Sequence, residues 1–219
     1  ELIAPEKAPG NLTTLKQRIK LIEACGIDDL VIARFDDRFR SLSPEAFIHF
    51  VLIGVLGAQS VSVGHDFRFG CNQEGDVEYL KASSNRFDLQ TCVIDSIMVH
   101  GEKASSTRMR HLIREGDVKE AAAVLGRRFS LAGTVVHGQK LGRTLGFPTA
   151  NLGTEPHQVL PKDGVYSVFV KIDGHLFPGA CSIGKRPTVN GTERTVETFL
   201  IDFERDLYDQ QIEFVFVDR

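Results

Sequence analysis

The sequence predicts an α/β region followed by an all-β region: a parallel sheet covered by helices, then a closed or nearly closed antiparallel barrel. Three observations carry this expectation. Helix and strand signals alternate up to about Leu125, as they do where helices connect parallel strands. After Ser130 only strand signals recur, with turn residues between them. Asp173-Gly174 separates two runs of alternating hydrophobicity, a strong hairpin signal.

In the first region Thr13 or Thr14 can cap a helix whose apolar Leu15, Ile19 and Ile22 share one face and which ends near Gly26. Leu30-Val-Ile-Ala33 is expected as a buried strand. Ser43-Pro44-Glu45 marks a helix start, a capping serine followed by proline at the first helical position. That helix should stop near Gly54 or Gly57. A strand at Ser60–Val63, the loop Gly64–Gly70, a helix through Val77–Ala82 and a strand through Leu89–Ile94 follow. Helices over Ser106–Arg114 and Val118–Leu125 close the region. The boundary falls near Arg127–Ser130, dividing the chain into modules 1–128 and 129–219. Strands are then expected at Leu131–Val136, Val165–Ile172, Leu176–Ile183, Thr195–Ile201 and Ile212–Val217.

The bulk properties narrow the function classes. The 219 residues are 42% hydrophobic and 25% charged, so the chain is of ordinary globular composition, one large domain or two small ones. A net charge of −3 gives no electrostatic case for nucleic acid or a membrane surface. Cys25, Cys71, Cys92 and Cys181 form no CxxC pair, which argues for reduced thiols in the cytoplasm rather than a metal cluster. The apolar run Phe47–Ala58 is too short to span a bilayer. The chain opens on Glu1 and a Pro/Gly-rich segment, without the pattern of a signal peptide.

Three constellations bear chemistry. The first is Gly138-Gln-Lys-Leu-Gly142-Arg-Thr-Leu-Gly146-Phe-Pro-Thr-Ala-Asn151. Glycines let a backbone approach phosphates closely. The Thr149 hydroxyl and the Asn151 carbonyl are hard oxygen donors of the kind Mg²⁺ accepts beside nucleotide phosphates. The other reading is a long surface turn. The second is Glu197. Alternation places it on the side of Phe199 and Ile201. If that side faces the barrel interior, desolvation raises its pKa towards that of a general base; the other reading puts that side in solvent. The third is Ser105-Ser-Thr-Arg-Met-Arg110, where Ser105 or Ser106 can cap a helix whose first turn, with Arg108 and Arg110, suits phosphate. The plain reading is a helix cap with solvated arginines. In the loop Gly64–Gly70, Phe67 and Phe69 either stack on a base or fill a core.

Together these segments resemble the bacterial bifunctional riboflavin kinase/FMN adenylyltransferases, or FAD synthetases. The likeness runs along nearly the whole chain. It is carried by Leu12-Thr-Thr14, Val63-Gly-His-Asp-Phe-Arg-Phe-Gly70, Ser105–Arg110, Leu141–Leu152, Asp163-Gly-Val-Tyr166, Ile183-Gly-Lys-Arg-Pro-Thr188, and Thr195-Val-Glu197 through Asp206-Leu-Tyr208. The resemblance implies a Rossmann-like nucleotidyltransferase module followed by a riboflavin kinase barrel. It implies small-molecule substrates (riboflavin, FMN and ATP) with Mg²⁺ as cofactor. Thr149 and Asn151 would hold Mg²⁺ and ATP phosphate, Gly138, Gly142 and Arg143 would line the phosphates, and Glu197 would accept the hydroxyl proton. Asp66, Phe67, Ser105, Ser106, Thr107 and Arg108 would serve adenylyl transfer.

The chain departs from that family in two places. None of its seven histidines lies in a His-x-Gly-His element, and it starts in what looks like the family's interior. The first strand with its ATP-binding turn, and a helix following the barrel, are therefore expected outside this sequence. Weak or no adenylyl transfer is expected of the chain as it stands. A different class of function also fits the motifs, a non-catalytic flavin- or nucleotide-binding module or regulator, though such a module would need neither metal ligands nor a base.

Overall fold

The computed structural model describes residues 8–137, 149–188 and 191–219. In chain order the elements are α1 (Leu15–Glu23), α2 (Asp37–Arg40), α3 (Pro44–Ala46) running into a π-helix (Phe47–Val55), β1 (Ser60–Gly64), α4 (Val77–Phe87), β2 (Gln90–Ile94), β3 (Met98–Val99), β4 (Glu102–Lys103), α5 (Ser106–Glu115) and α6 (Val118–Leu125). Then come β5 (Ser130–Val136), β6 (Thr149–Gly153), β7 (Gly164–Ile172), β8 (His175–Thr188), β9 (Gly191–Leu200) and β10 (Gln211–Asp218). Two compact units result. One is Val31–Met98; the other joins residues 8–30 to Val99–Arg219.

The first unit is the α/β part. β1 and β2 pair in parallel, Ser60 opposite Gln90 through Gly64 opposite Ile94, with α4 as the connection between them. The side chain of Asp76 caps α4 by accepting from Tyr79 N–H at 2.8 Å. Ser43 caps α3 in the expected way, accepting from Ala46 N–H at 3.1 Å with Pro44 at the first position. The helix then loosens to π geometry and ends at Val55, close to the expected stop. Ile48, Leu52, Val63, Val77 and Leu80 form the unit's core.

Residues 30–33 do not form the expected buried strand. Val31 is 64% and Ile32 61% exposed, and no described residue pairs with them. An apolar run becomes a strand only when a neighbour accepts its backbone hydrogen bonds.

The second unit is built on a closed antiparallel barrel with strand order β10-β5-β6-β9-β8-β7. The β7–β8 hairpin turns at Asp173 (φ 49°) and Gly174 (φ 84°), with Ile172 opposite His175. Both turn residues lie in the left-handed region, as a two-residue turn matched to strand twist requires. β6 was not expected. Thr149–Gly153 read as the end of a loop, yet it pairs with β5 on one side and β9 on the other.

The barrel interior is filled by side chains. Tyr166, Val168 and Val170 from β7, Ile212, Phe214 and Phe216 from β10, and Val196 and Leu200 from β9 are buried there. Met109, Ile113, Val118 and Ala121 of α5 and α6 join the same cluster. Tyr166 meets Phe216 edge-on at 5.3 Å, and its hydroxyl donates to the Lys162 carbonyl at 2.6 Å.

α1 belongs to this unit. Thr14 rather than Thr13 is its cap, in a reciprocal box. The Thr14 hydroxyl accepts from Gln17 N–H at 3.1 Å, and the Gln17 side chain accepts from Thr14 N–H at 3.0 Å.

Candidate active site

Strand pairing collects the kinase candidates. β6 runs antiparallel to β9, with Asn151 directly opposite Glu197 and Thr149 opposite Phe199. Directly opposed residues share a face, with Cβ atoms about 5 Å apart. Thr149, Asn151, Glu197 and Phe199 thus form one patch on two neighbouring strands. The row continues through Val136 on β5 and Ser182 on β8, which oppose Asn151 and Glu197.

That patch is on the outer face of the barrel. The alternate positions Ala150, Leu152, Val196, Thr198 and Leu200 are the buried ones, whereas Thr149, Asn151, Glu197 and Phe199 are half-buried. The apolar interior wall considered for Glu197 is therefore the wrong side of its strand. The shared side of Glu197, Phe199 and Ile201 is the one that points out of the barrel, and Ile201 is 44% exposed.

The patch offers three oxygen-bearing side chains: a hydroxyl, a carboxamide and a carboxylate. A hard cation bound partly by substrate phosphates needs only one or two protein oxygens. Thr149 and Asn151, two apart on one strand face, fit that requirement. Among the described residues no group of three or more His, Cys, Asp or Glu side chains could hold a metal ion on its own. Gly138, Gly142 and Arg143 lie outside the described residues.

Two features beside the patch were given no role from the sequence. Phe199 places an aromatic ring next to Thr149. The connection between β9 and β10 is tied to the end of β5, where Asp209 N–H donates to the Val135 carbonyl at 3.0 Å and the Tyr208 ring lies 4.0 Å from that of His137. Behind the patch, Cys181 is a buried free thiol opposite Thr198, and burial pushes it up to about 11.

The adenylyl-transfer candidates fall in both compact units. Asp66 and Phe67 are in the first, in the turn after β1, where Phe67 N–H donates to the Gly64 carbonyl at 3.0 Å. Asp66 is exposed. The half-buried Phe67 stacks on Phe69, with ring centres 5.5 Å apart, and Phe69 itself belongs to the core. Ser105, Ser106, Thr107 and Arg108 are in the second unit. Ser105 is the cap of α5, its hydroxyl accepting from Arg108 N–H at 3.2 Å. The Arg108 guanidinium is held at 2.7 Å by Glu120 and at 2.9 Å by Glu102, and donates to the Val99 carbonyl. Arg110 donates to the Gly10 carbonyl at 2.7 Å. Neither arginine is simply solvated, contrary to the plain reading of that motif.

A closed barrel carrying an oxygen-rich patch, together with an α/β unit, fits a two-part nucleotide-handling enzyme class. The riboflavin kinase family matches residues 125–219 and the FAD synthetase family matches residues 1–108. The bifunctional riboflavin kinase/FMN adenylyltransferase of Escherichia coli K12 is 38% identical over 216 residues, 98% of this chain and 69% of that protein. Its counterpart in Pseudomonas fluorescens is 39% identical over 217 residues, 99% of this chain and 69% of that one. The crystal structure of a macrolide-efflux protein from Streptococcus pneumoniae superposes with a TM-score of 0.85 at 33% identity, covering 95% of this chain and 67% of that one. No helix among the described residues is long and apolar enough to cross a membrane. The chain belongs to the bifunctional riboflavin kinase/FMN adenylyltransferase family.

Proposed function

We propose that the protein transfers the γ-phosphoryl group of ATP to the ribityl 5′-hydroxyl of riboflavin, giving FMN and ADP, and that the full-length enzyme also joins FMN to AMP from a second ATP, giving FAD and pyrophosphate. The observation that carries the kinase step is the direct opposition of Asn151 and Glu197 with Thr149 beside them. Phosphoryl transfer asks for positioned phosphates, neutralised charge and an oriented hydroxyl. Glu197 accepts the hydroxyl proton. Thr149 and Asn151 would hold Mg²⁺, which would neutralise phosphate charge. Gly138, Gly142 and Arg143 line the phosphates. The kinase module is residues 129–219 and the nucleotidyltransferase module residues 1–128, working in the cytoplasm. In the latter, Asp66 and Phe67 approach the substrate while Ser105, Ser106, Thr107 and Arg108 serve the nucleotide phosphates.

Incubation of the full-length protein with riboflavin and MgATP, followed by chromatography, should yield FMN. Absence of FMN at saturating substrates overturns the kinase reading, and tight flavin binding without turnover replaces it with a binding module. Supplying FMN and MgATP instead should yield FAD; FMN formation without FAD formation leaves the first module a scaffold.

A further inference from the structure

A cavity lies in the barrel unit on the same outer face as the kinase patch; Gly153, which lines it, stands two positions from Asn151 on β6. This cavity of about 740 Å³ opens between α1 and the outer face of β5 and β10, and none of Thr149, Asn151 or Glu197 lines it. Its volume is that of a site for a nucleotide-sized molecule.

Four cations surround it: Lys16 and Lys20 on α1, Arg127 before β5, and Lys171 on β7. Three acids share the lining, and one is paired: Asp173 with Arg205 at 2.7 Å. Glu213 accepts from the Ser130 hydroxyl at 2.5 Å and from the Gln17 amide at 3.1 Å, and stands directly opposite Lys171 across β10 and β7, so it offsets part of the positive charge. Glu155 is the third and is exposed. Among the described residues Lys16, Lys20 and Lys171 form no ion pair.

Lys16 and Lys20 stand one helical turn apart, where like charges repel. Arg127 is half-buried, and its hydrogen bond among the described residues is from Nη1 to the Arg128 carbonyl at 3.1 Å. Burial pushes its guanidinium below the usual arginine range, against a smaller opposing pull from Glu213. The floor is polar. Buried Gln17 donates to the Ser130 hydroxyl at 3.2 Å as well as to Glu213, which fixes the face that α1 turns to the strands.

We propose that this cavity binds a small polyphosphate anion, either inorganic or the polyphosphate chain of a nucleotide. Two lysines on one helix face and a planar guanidinium across from them match several phosphate oxygens better than a single monoanion.

Calorimetry on the full-length protein tests this, with inorganic pyrophosphate and tripolyphosphate as probes and sulfate at matched ionic strength as the control. Both polyphosphates should bind more tightly than sulfate. Lys16→Ala/Lys20→Ala and Arg127→Gln should each weaken that binding at least about tenfold, while Lys119→Ala, at a lysine paired with Asp218 outside the cavity, should not. Thr149→Val/Asn151→Leu, which removes the oxygen donors of the kinase patch, should leave it unchanged, which separates this site from that patch. Displacement of pyrophosphate by ATP in Thr149→Val/Asn151→Leu, lost when Lys16→Ala/Lys20→Ala is added, assigns the site to a nucleotide; no displacement assigns it to the inorganic anion. The lysines are exposed, so circular dichroism should show an unchanged fold. Polyphosphates binding no better than sulfate, or binding equally well to the lysine and arginine variants, overturns the proposal.

Discussion

Glu197→Gln is the sharpest test of the kinase patch. The substitution keeps side-chain shape and strand position and removes only the proton-accepting carboxylate. Glu197 sits on the outer face of β9, half-buried and opposite Asn151 and Ser182, so packing in the barrel interior is untouched. Changes at such positions alter stability by no more than about 1 kcal/mol. For a chain of this size that is a Tm shift within about 4 °C. Loss of a general base lowers rate by about 10²–10⁴-fold, which is about 3–5 kcal/mol of barrier. The two scales differ enough to be separated. FMN production at saturating riboflavin and MgATP gives kcat, and thermal denaturation of the same sample gives Tm. A kcat within about threefold of wild type, in folded protein, refutes Glu197 as the base.

Further outcomes follow from the same geometry. Thr149→Val and Asn151→Leu should each raise KM for MgATP or lower kcat by at least about tenfold, and shift the Mg²⁺ dependence of FMN formation to higher concentration. Gly174→Ala places a side chain at φ 84° and should cost about 1 kcal/mol, seen as a Tm lower by about 2–4 °C with kcat unchanged. Iodoacetamide on native protein near pH 8 should label the exposed Cys25 and Cys92 and spare Cys181. Because the folded Cys181 keeps its proton to about 11 while the unfolded thiol loses it near its ordinary value of 9.0, the unfolded state binds fewer protons between those values. Its contribution to stability is full below about pH 9 and falls as pH rises towards 11, measurable as a falling denaturation midpoint that Cys181→Ser flattens.

Much of this fold was legible because local chemistry decided it. Asp173-Gly174 specified a turn that only a left-handed pair can make, and Thr14, Ser43 and Ser105 each cap the helix expected of them. What was not legible depended on distant partners. Leu30–Ala33 has strand composition, yet a strand exists only where another strand pairs with it. Thr149–Gly153 has the proline-preceded look of a loop, yet β5 and β9 on either side draw it into the barrel. The motif around Arg108 says nothing of Glu102 and Glu120, which hold its guanidinium in place from outside that motif. A carboxylate twelve positions along the chain, on a different helix, leaves no trace in the local pattern.

The face of Glu197 shows why parity alone is not enough. Alternation correctly grouped Glu197 with Phe199 and Ile201, but Val196 and Leu200 on the opposite side are just as apolar. Both sides of β9 therefore satisfy the pattern of a core-facing strand. The neighbouring strands break the tie. Ala150 and Leu152 on β6 and Cys181 and Ile183 on β8 are buried with Val196 and Leu200, which completes a layer inside the barrel. A closed six-stranded barrel filled by Tyr166, Phe214 and Phe216 has no room inside for ATP, which is consistent with the outward patch proposed for the kinase step. On the proposed assignment, stability and catalysis are carried by alternate residues of the same strands. Phe214→Ala, on an inward position, should cost about 3–5 kcal/mol of stability and lower Tm by about 6–20 °C. Its kcat, measured well below that Tm, should stay near wild type, the reverse of what Glu197→Gln does. If Phe214→Ala instead lowered kcat at temperatures where the protein is fully folded, the division between inward scaffold and outward chemistry would fail.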